Sequence, residues 1–322
     1  MSRRLLVLAP TAALLVALAS IDLPLFMLGP GPAREVVPLI DVEGAPTYQP
    51  DGRMILTTVG FQPATVFEAA WAWIAPDRQL VTEDQLIPPD LTEQEYERYS
   101  LVDMRASQIA ATVVALRTVT DYPEERDPGF LVQNVVPGSP ADGELSPGDV
   151  LLEVNGAPFE ETAVLQGAVQ DAGTRGEVVL TVVRGERRRS VSLRPRVLAG
   201  AERPLIGVTV VESFPFDVRI RSGEVGGPSA GLMWALALMD MLEPGALIDG
   251  RTIAGTGEID LEGHVYPVGG VAHKVVAAER AGAELFLVPT ENLAEARTAH
   301  ADVRLVAVST VDEAVTELER GT

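Results

Sequence analysis

The chain has 322 residues, of which 47% are hydrophobic and 22% charged, with a formal net charge of −21 and no cysteine. Such a length has room for two domains and a tail. A surface this acidic excludes nucleic acid as an expected partner, because phosphate binding needs a basic face, and a chain without cysteine has neither disulfides nor thiolate chemistry.

Arg3 and Arg4 precede an uncharged apolar run over residues 5–21. Spanning a bilayer takes roughly 17–25 such residues, so the run is at the short end. After Asp22 the apolar character continues to Leu28, and Gly29-Pro30-Gly31-Pro32 ends any helix. Residues 1–32 are therefore expected to form a signal anchor or transmembrane helix. Ala17-Leu18-Ala19 is an acceptable signal-peptidase site, which leaves a cleaved signal open as well. Either outcome puts the rest of the chain outside the cytoplasm, joined to the cell membrane by a single pass in the first case.

Residues 33–125 are expected to be an extracytoplasmic segment packed on the domains that follow. Residues 54–59 predict a strand, and residues 67–74 an amphipathic helix whose Trp71 and Trp73 belong to the core. Residues 80–89 carry Asp84, Pro88 and Pro89 and predict a loop. Thr92 followed by Glu95 is a capping-box spacing that starts a helix running to about Leu116.

Residues 126–198 change character. Short β-rich runs alternate with Gly/Pro turns, through Gly129-Phe130-Leu131-Val132, Val135-Val136-Pro137-Gly138-Ser139-Pro140 and Ser146-Pro147-Gly148-Asp149. This is the pattern of a small β-barrel-like module, and it resembles the PDZ domains of bacterial proteases. Such domains take an extended peptide as an added strand, its carboxylate held by backbone N–H groups. The resemblance implies that Gly129, Phe130 and Leu131 form the peptide groove, flanked by a helix near residues 163–172.

Residues 199–202 predict a linker and residues 203–322 an α/β domain, in which apolar strands alternate with helices. Within it, Gly226-Gly227-Pro228-Ser229-Ala230-Gly231 opens the apolar run 232–242, interrupted only by Asp240. An uncharged run without turn residues predicts a buried helix. Ser229 then stands at its N-terminus, where free N–H groups and the helix dipole favour a developing oxyanion. Further on, Gly269-Gly270 starts a second helix that carries Lys274 on a row with Ala277, Ala278 and Ala281, while His273, Val276 and Arg280 form the solvent-facing row. A lysine dried by small apolar neighbours loses its charge more readily and can take the proton of a serine hydroxyl.

Gly-Pro-Ser-Ala-Gly, then Thr256-Gly257-Glu258-Ile259, then Val268-Gly269-Gly270 with Lys274 closely resemble the proteolytic domain of Lon-type peptidases. The resemblance implies Ser229 as nucleophile, Lys274 as general base, Thr256 as a support for the lysine and a backbone oxyanion site around Gly227. It also implies rings of six, a homo-oligomer. The Lon pattern usually has Lys-Asp before Gly-Pro-Ser, whereas this chain has Val225-Gly226, so an acid near the dyad is missing. The order of apolar run, Leu28-Gly29-Pro30-Gly31-Pro32 and Leu56-Thr57-Thr58-Val59 resembles secreted PDZ–Lon-like proteins.

Gly227-x-Ser229-x-Gly231 also matches a nucleophile elbow. The preceding strand, expected over residues 216–220, is too far from Ser229 for a sharp strand–turn–helix, and His264, His273 and His300 are poorly placed as partners. No His-x-x-x-His spacing supports a metal, no cofactor is expected, and no Gly-x-x-x-x-Gly-Lys-[Ser/Thr] loop supports a nucleotide. The expected function is an ATP-independent serine endopeptidase acting on polypeptides, with PDZ-assisted recognition. The alternative is a catalytically idle, membrane-anchored PDZ scaffold.

Overall fold

A computed structural model of the chain describes residues 22–320 apart from positions 76, 90, 224 and 246. The expected membrane segment over residues 1–21 lies outside the described residues. Its continuation is not a helix. Asp22–Glu35 form a strand, β1; Ile40–Glu43 form β2; and Arg53–Thr65 form β3, which pairs antiparallel with β1. Pro24, Pro30 and Pro32 deny a helix its N–H donors, and glycines at 29 and 31 weaken it further. Among the described residues no helix is long and apolar enough to cross a membrane.

The chain then forms α1 (Val66–Ile74), β4 (Gln79–Val81), a single turn α2 (Glu83–Leu86) and the long α3 (Glu93–Val119). The expected loop over residues 80–89 thus contains part of a strand and a helical turn. Thr92 caps α3 as its spacing predicts: Thr92 Oγ1 accepts from Glu95 N, and Glu95 Oε2 accepts from Thr92 N. The side of α3 that shares a core with α5 is rich in small residues, Ala110, Ala111 and Ala115, with Met104 and Val114, while Ile109, Val113 and Leu116 are buried elsewhere. Small residues let another helix approach closely.

Between α3 and the C-terminal half lies a β-rich module. Its elements are β5 (Phe130–Val135), β6 (Val150–Val154), β7 (Ala157–Pro158), α4 (Thr162–Ala172), β8 (Val178–Arg184) and β9 (Arg187–Leu193). Two short strands, β10 (Arg196–Val197) and β11 (Pro204–Leu205), pair with each other on either side of the expected linker at residues 199–202. β12 (Val208–Glu212) then returns to pair with β5, giving the sheet order β12-β5-β6-β8-β9 with β7 on β6. Phe130, Leu151, Leu165, Leu180, Val182 and Ile206 share its core.

The C-terminal half runs β13 (Asp217–Ile220), α5 (Gly231–Leu242), β14 (Thr252–Gly255), β15 (Glu258–Ile259), β16 (Val265–Tyr266), α6 (Val271–Arg280), β17 (Leu285–Pro289), α7 (Leu293–Ala296), β18 (Arg304–Val308) and α8 (Val311–Glu319). Its sheet has the order β18-β17-β14-β3-β1-β4, with β3, β14, β17 and β18 mutually parallel. Half of that sheet comes from the N-terminal segment. Those residues do not pack against the catalytic half from outside; they complete it.

Side chains alternate across a strand, and the two faces bury different helices. Met54, Leu56, Leu285 and Leu287 pack with α5 and, behind it, α3. Ile55, Phe286 and Val288 pack on the other side with Val271, Val275 and Ala278 of α6. α5 is enclosed all round, which is why its sequence lacks a polar face. Asp240 is accommodated by accepting from the Leu247 N–H at 2.9 Å, and burial raises its carboxyl above the ordinary range.

Candidate active site

Helices on opposite faces of a sheet meet only at its ends, and here α5 and α6 begin near the C-terminal end of β14. Thr256, the residue after β14, lies between them. The turn before α5 is pinned from both sides. From outside, Ser107 Oγ of α3 donates to the Pro228 carbonyl at 2.8 Å, and the Gly227 N–H donates to the Ser100 carbonyl at 2.8 Å. From inside, the Ser229 carbonyl accepts from the Gly257 N–H at 2.8 Å and from Thr256 Oγ1 at 2.9 Å. Among the described residues the half-buried Ser229 side chain has one polar neighbour.

That neighbour is Lys274. α6 starts at Gly270, whose φ of +67° is left-handed backbone. A Cβ there would also lie 2.6 Å from Val59 Cγ2 of β3, so only glycine brings the helix this close. Glu295 Oε1 caps the helix by accepting from the Val271 N–H at 2.8 Å. One turn in, Lys274 is 4% exposed. Its Nζ stands 2.7 Å from Ser229 Oγ and donates to Thr256 Oγ1 at 2.9 Å. Burial pushes the amine from 10.5 down to about 8, against a smaller opposing pull from the Glu295 carboxylate. Roughly a tenth of such amines are neutral at pH 7 and half at pH 8.

Three sequence expectations need correction. Gly227 is not an oxyanion donor, since its N–H is already committed to Ser100. Among the described residues nothing accepts from the N–H groups of Ser229 and Ala230, which head α5. His273 is not on a solvent face of α6 but buried, because β1 and β3 pack along the helix; burial pushes its imidazole below the ordinary value. Gly129, Phe130 and Leu131 do not line an open groove: β5 pairs with β6 on one side and β12 on the other. Phe130 is a core residue stacked on Phe159 at 5.0 Å. The edge strands of that sheet are β12 and β9.

A side chain at position 226, where the acid is missing, would press on α3. A Cβ on Gly226 would lie 2.3 Å from Ser100 Oγ, so α3 occupies the space that a side chain needs. Carboxylates gather on the other side of the turn instead. Asp103, Gln133, Asn134, Pro228, Glu258 and Ile259 help line a cleft of about 240 Å³ formed jointly by α3, β5 and the catalytic half. Withdrawal from water raises the Glu258 carboxyl, with the nearby Asp103 charge adding to it, and raises that of Asp103 too. Ser100, Asp103, Ser107, Glu258 and Glu295 are the site residues that sequence reasoning missed. The first three follow i, i+3, i+7 on α3, a helical row that ends in small residues and could have flagged a packed, functional face.

Residues 205–319 match the family model of the Lon protease (S16) C-terminal proteolytic domain, and residues 114–183 match that of the PDZ domain. The chain carries a Lon-type proteolytic domain and a PDZ domain. The proteolytic domain is that of a serine peptidase. Lon protease of Paraburkholderia phytofirmans is 29% identical over 317 residues, covering 86% of this chain and 37% of that protein. Lon protease 1 of Herpetosiphon aurantiacus is 48% identical over 77 residues, 24% of this chain and 9% of that one. Lon protease 1 of Myxococcus xanthus is 32% identical over 151 residues, 44% of this chain and 18% of that one. The chain thus spans between 9% and 37% of the length of these relatives. The matched Lon segment begins at residue 205, yet half its sheet and the helix that grips Pro228 lie before it.

Proposed function

We propose that this chain is an endopeptidase in which Ser229 is the nucleophile and Lys274 the general base. The observation that carries the reading is the 2.7 Å separation of Ser229 Oγ and a buried Lys274 Nζ whose pKa lies at about 8. The Ser229 hydroxyl proton passes to the neutral amine as Oγ bonds to the peptide carbonyl carbon. The carbonyl oxygen becomes an oxyanion facing the Ser229 and Ala230 N–H groups at the head of α5. As it collapses, the C–N bond breaks and the Lys274 ammonium returns its proton to the leaving amine. Water then repeats the sequence on the acyl-enzyme, with Lys274 again taking a proton.

The substrate is a polypeptide, entering beside Pro228 through the cleft shared by α3 and β5. The bond-making steps draw on the dyad alone and need no nucleotide. Recognition is assisted by the PDZ module, where an extended peptide adds beside β12, one of the two edge strands of its sheet. The apolar run over residues 5–21 anchors the chain, and the folded part works outside the cytoplasm.

Cleavage of casein by the full chain tests the chemistry. Ser229→Ala and Lys274→Ala should each lower the rate by at least about 10³-fold, as removal of either half of a dyad does. Unchanged cleavage in either variant, or none in the parent chain, sinks the reading and leaves the scaffold. Digestion of intact cells by an added protease tests location: loss of the folded part from outside is expected, and its full protection contradicts the placement.

A further inference from the structure

α1 is built with its apolar stripe on the outside. Phe67, Ala70, Trp71 and Ile74 follow the i, i+3, i+4, i+7 spacing that normally marks a buried face. Here Phe67 is 67%, Trp71 50% and Ile74 69% exposed, and Ala70 is exposed as well. Trp73 is 90% exposed, and Phe61 of β3 adds another 61% exposed ring. No described side chain of α1 is buried. The core role expected for Trp71 and Trp73 is therefore wrong. The helix has one charged residue, Glu68, and that is used locally: it accepts from the Thr65 N–H at 2.8 Å and from Gln62 Nε2 at 2.7 Å. A surface of aromatic and aliphatic groups this large marks an interaction site.

What covers it follows from where the preceding chain arrives. β1 opens at Asp22, whose partner in β3 is Thr65, the N-cap of α1. The described chain therefore starts beside the first turn of α1, directly after the apolar run 5–21 in sequence. A bilayer that takes up that run has its headgroup layer at Asp22. That is the depth at which Trp and Phe rings partition, and at which an apolar helix face lies in the plane of the interface. We propose that α1, with Phe61, is a second membrane contact, lying in the lipid interface beside the N-terminal segment and fixing the orientation of the catalytic body above the bilayer. The inference rests on residues 5–21 entering the membrane. With a net charge of −21, anionic lipid offers no attraction, so the contact is apolar and insensitive to salt.

The three tryptophans provide the test, because Trp234 is fully buried in the core and only Trp71 and Trp73 reach the surface. The full chain is reconstituted in phosphatidylcholine vesicles with lipid brominated on the acyl chain. The expected result is loss of most Trp71 and Trp73 emission at low and high salt alike, with a blue shift, and no quenching in the Trp71→Phe/Trp73→Phe double variant. Chain that sediments with vesicles while Trp71 and Trp73 remain unquenched overturns the contact but leaves the anchor. Chain that stays in the supernatant overturns both. A blue shift that grows with protein concentration in detergent, without quenching by lipid, assigns the patch to a second copy and also overturns the proposal.

Discussion

Ser100 Oγ occupies the position that a side chain at Gly226 would take, since a Cβ built there lies only 2.3 Å away. The same serine accepts the Gly227 N–H through its carbonyl oxygen. α3 therefore sets the path of the chain into Ser229, and restoring an acid at position 226 is not a neutral change. Gly226→Asp should push the turn off α3 and misplace Ser229 Oγ, lowering kcat about 10²-fold, the cost of a displacement near 1 Å. Adding Ser100→Gly to that variant should recover part of the loss. Equal kcat for Gly226→Asp and the parent chain would show that α3 does not position the turn.

Lys274 makes opposite demands on activity and stability. With its pKa at about 8, kcat/KM should rise about tenfold per pH unit below 8 and level off above it. Stability follows the same group. The unfolded chain carries the lysine at its ordinary 10.5, so below pH 8 both states are protonated and the folded one bears the cost of a buried charge. Between pH 8 and 10.5 the unfolded state binds more protons, and stability rises with pH. The penalty at pH 7 is on the order of 3 kcal/mol. Lys274→Met should therefore be inactive yet melt at higher temperature than the parent chain at pH 7, with the gap narrowing towards pH 10.5. A gap that does not change with pH would mean the amine is not desolvated.

Thr256 links the two halves of the dyad, accepting from Lys274 Nζ and donating to the Ser229 carbonyl. Thr256→Val keeps the volume and removes both bonds, while the Gly257 N–H still holds the Ser229 carbonyl. The expected result is a kcat lowered about 10- to 100-fold with KM little changed, and near-complete recovery in Thr256→Ser. A merely structural threonine would lower thermal stability in the valine variant without this split between kcat and KM.

Local sequence carries the catalytic half well. The glycine-framed Ser229 turn, the apolar run of α5 and the small-residue row around Lys274 each state their environment within a few residues. The capping box at Thr92 is legible for the same reason. What is not legible is set by long-range pairing. Nothing in residues 22–35 announces that they enter a sheet with β14 and β17, because prolines and glycines mask the strand periodicity. Nothing around Gly129 shows that β12 covers the adjacent edge, since that contact joins residues far apart in the chain. The exposed stripe of α1 defeats periodicity in another way, as spacing gives the presence of an apolar face but not which side meets water.

Glu258 ends up half-buried beside Asp103 in the cleft that borders Pro228, and lost hydration holds its carboxyl above the ordinary range. Above that raised value the cleft carries negative charge along the proposed substrate path, so a peptide that places lysine or arginine there should be cut in preference to one carrying glutamate. Ion pairs in partly exposed settings contribute about 0.2–1 kcal/mol. Glu258→Gln should thus raise KM for the basic peptide up to about fivefold, with kcat unchanged, and leave a neutral peptide unaffected. The preference in the parent chain should also fade as pH falls and the carboxyl takes up a proton, whereas the glutamine variant should keep only the smaller fade that comes from Asp103. Equal KM values for basic and acidic peptides across that pH range would show that the substrate side chain does not enter this cleft.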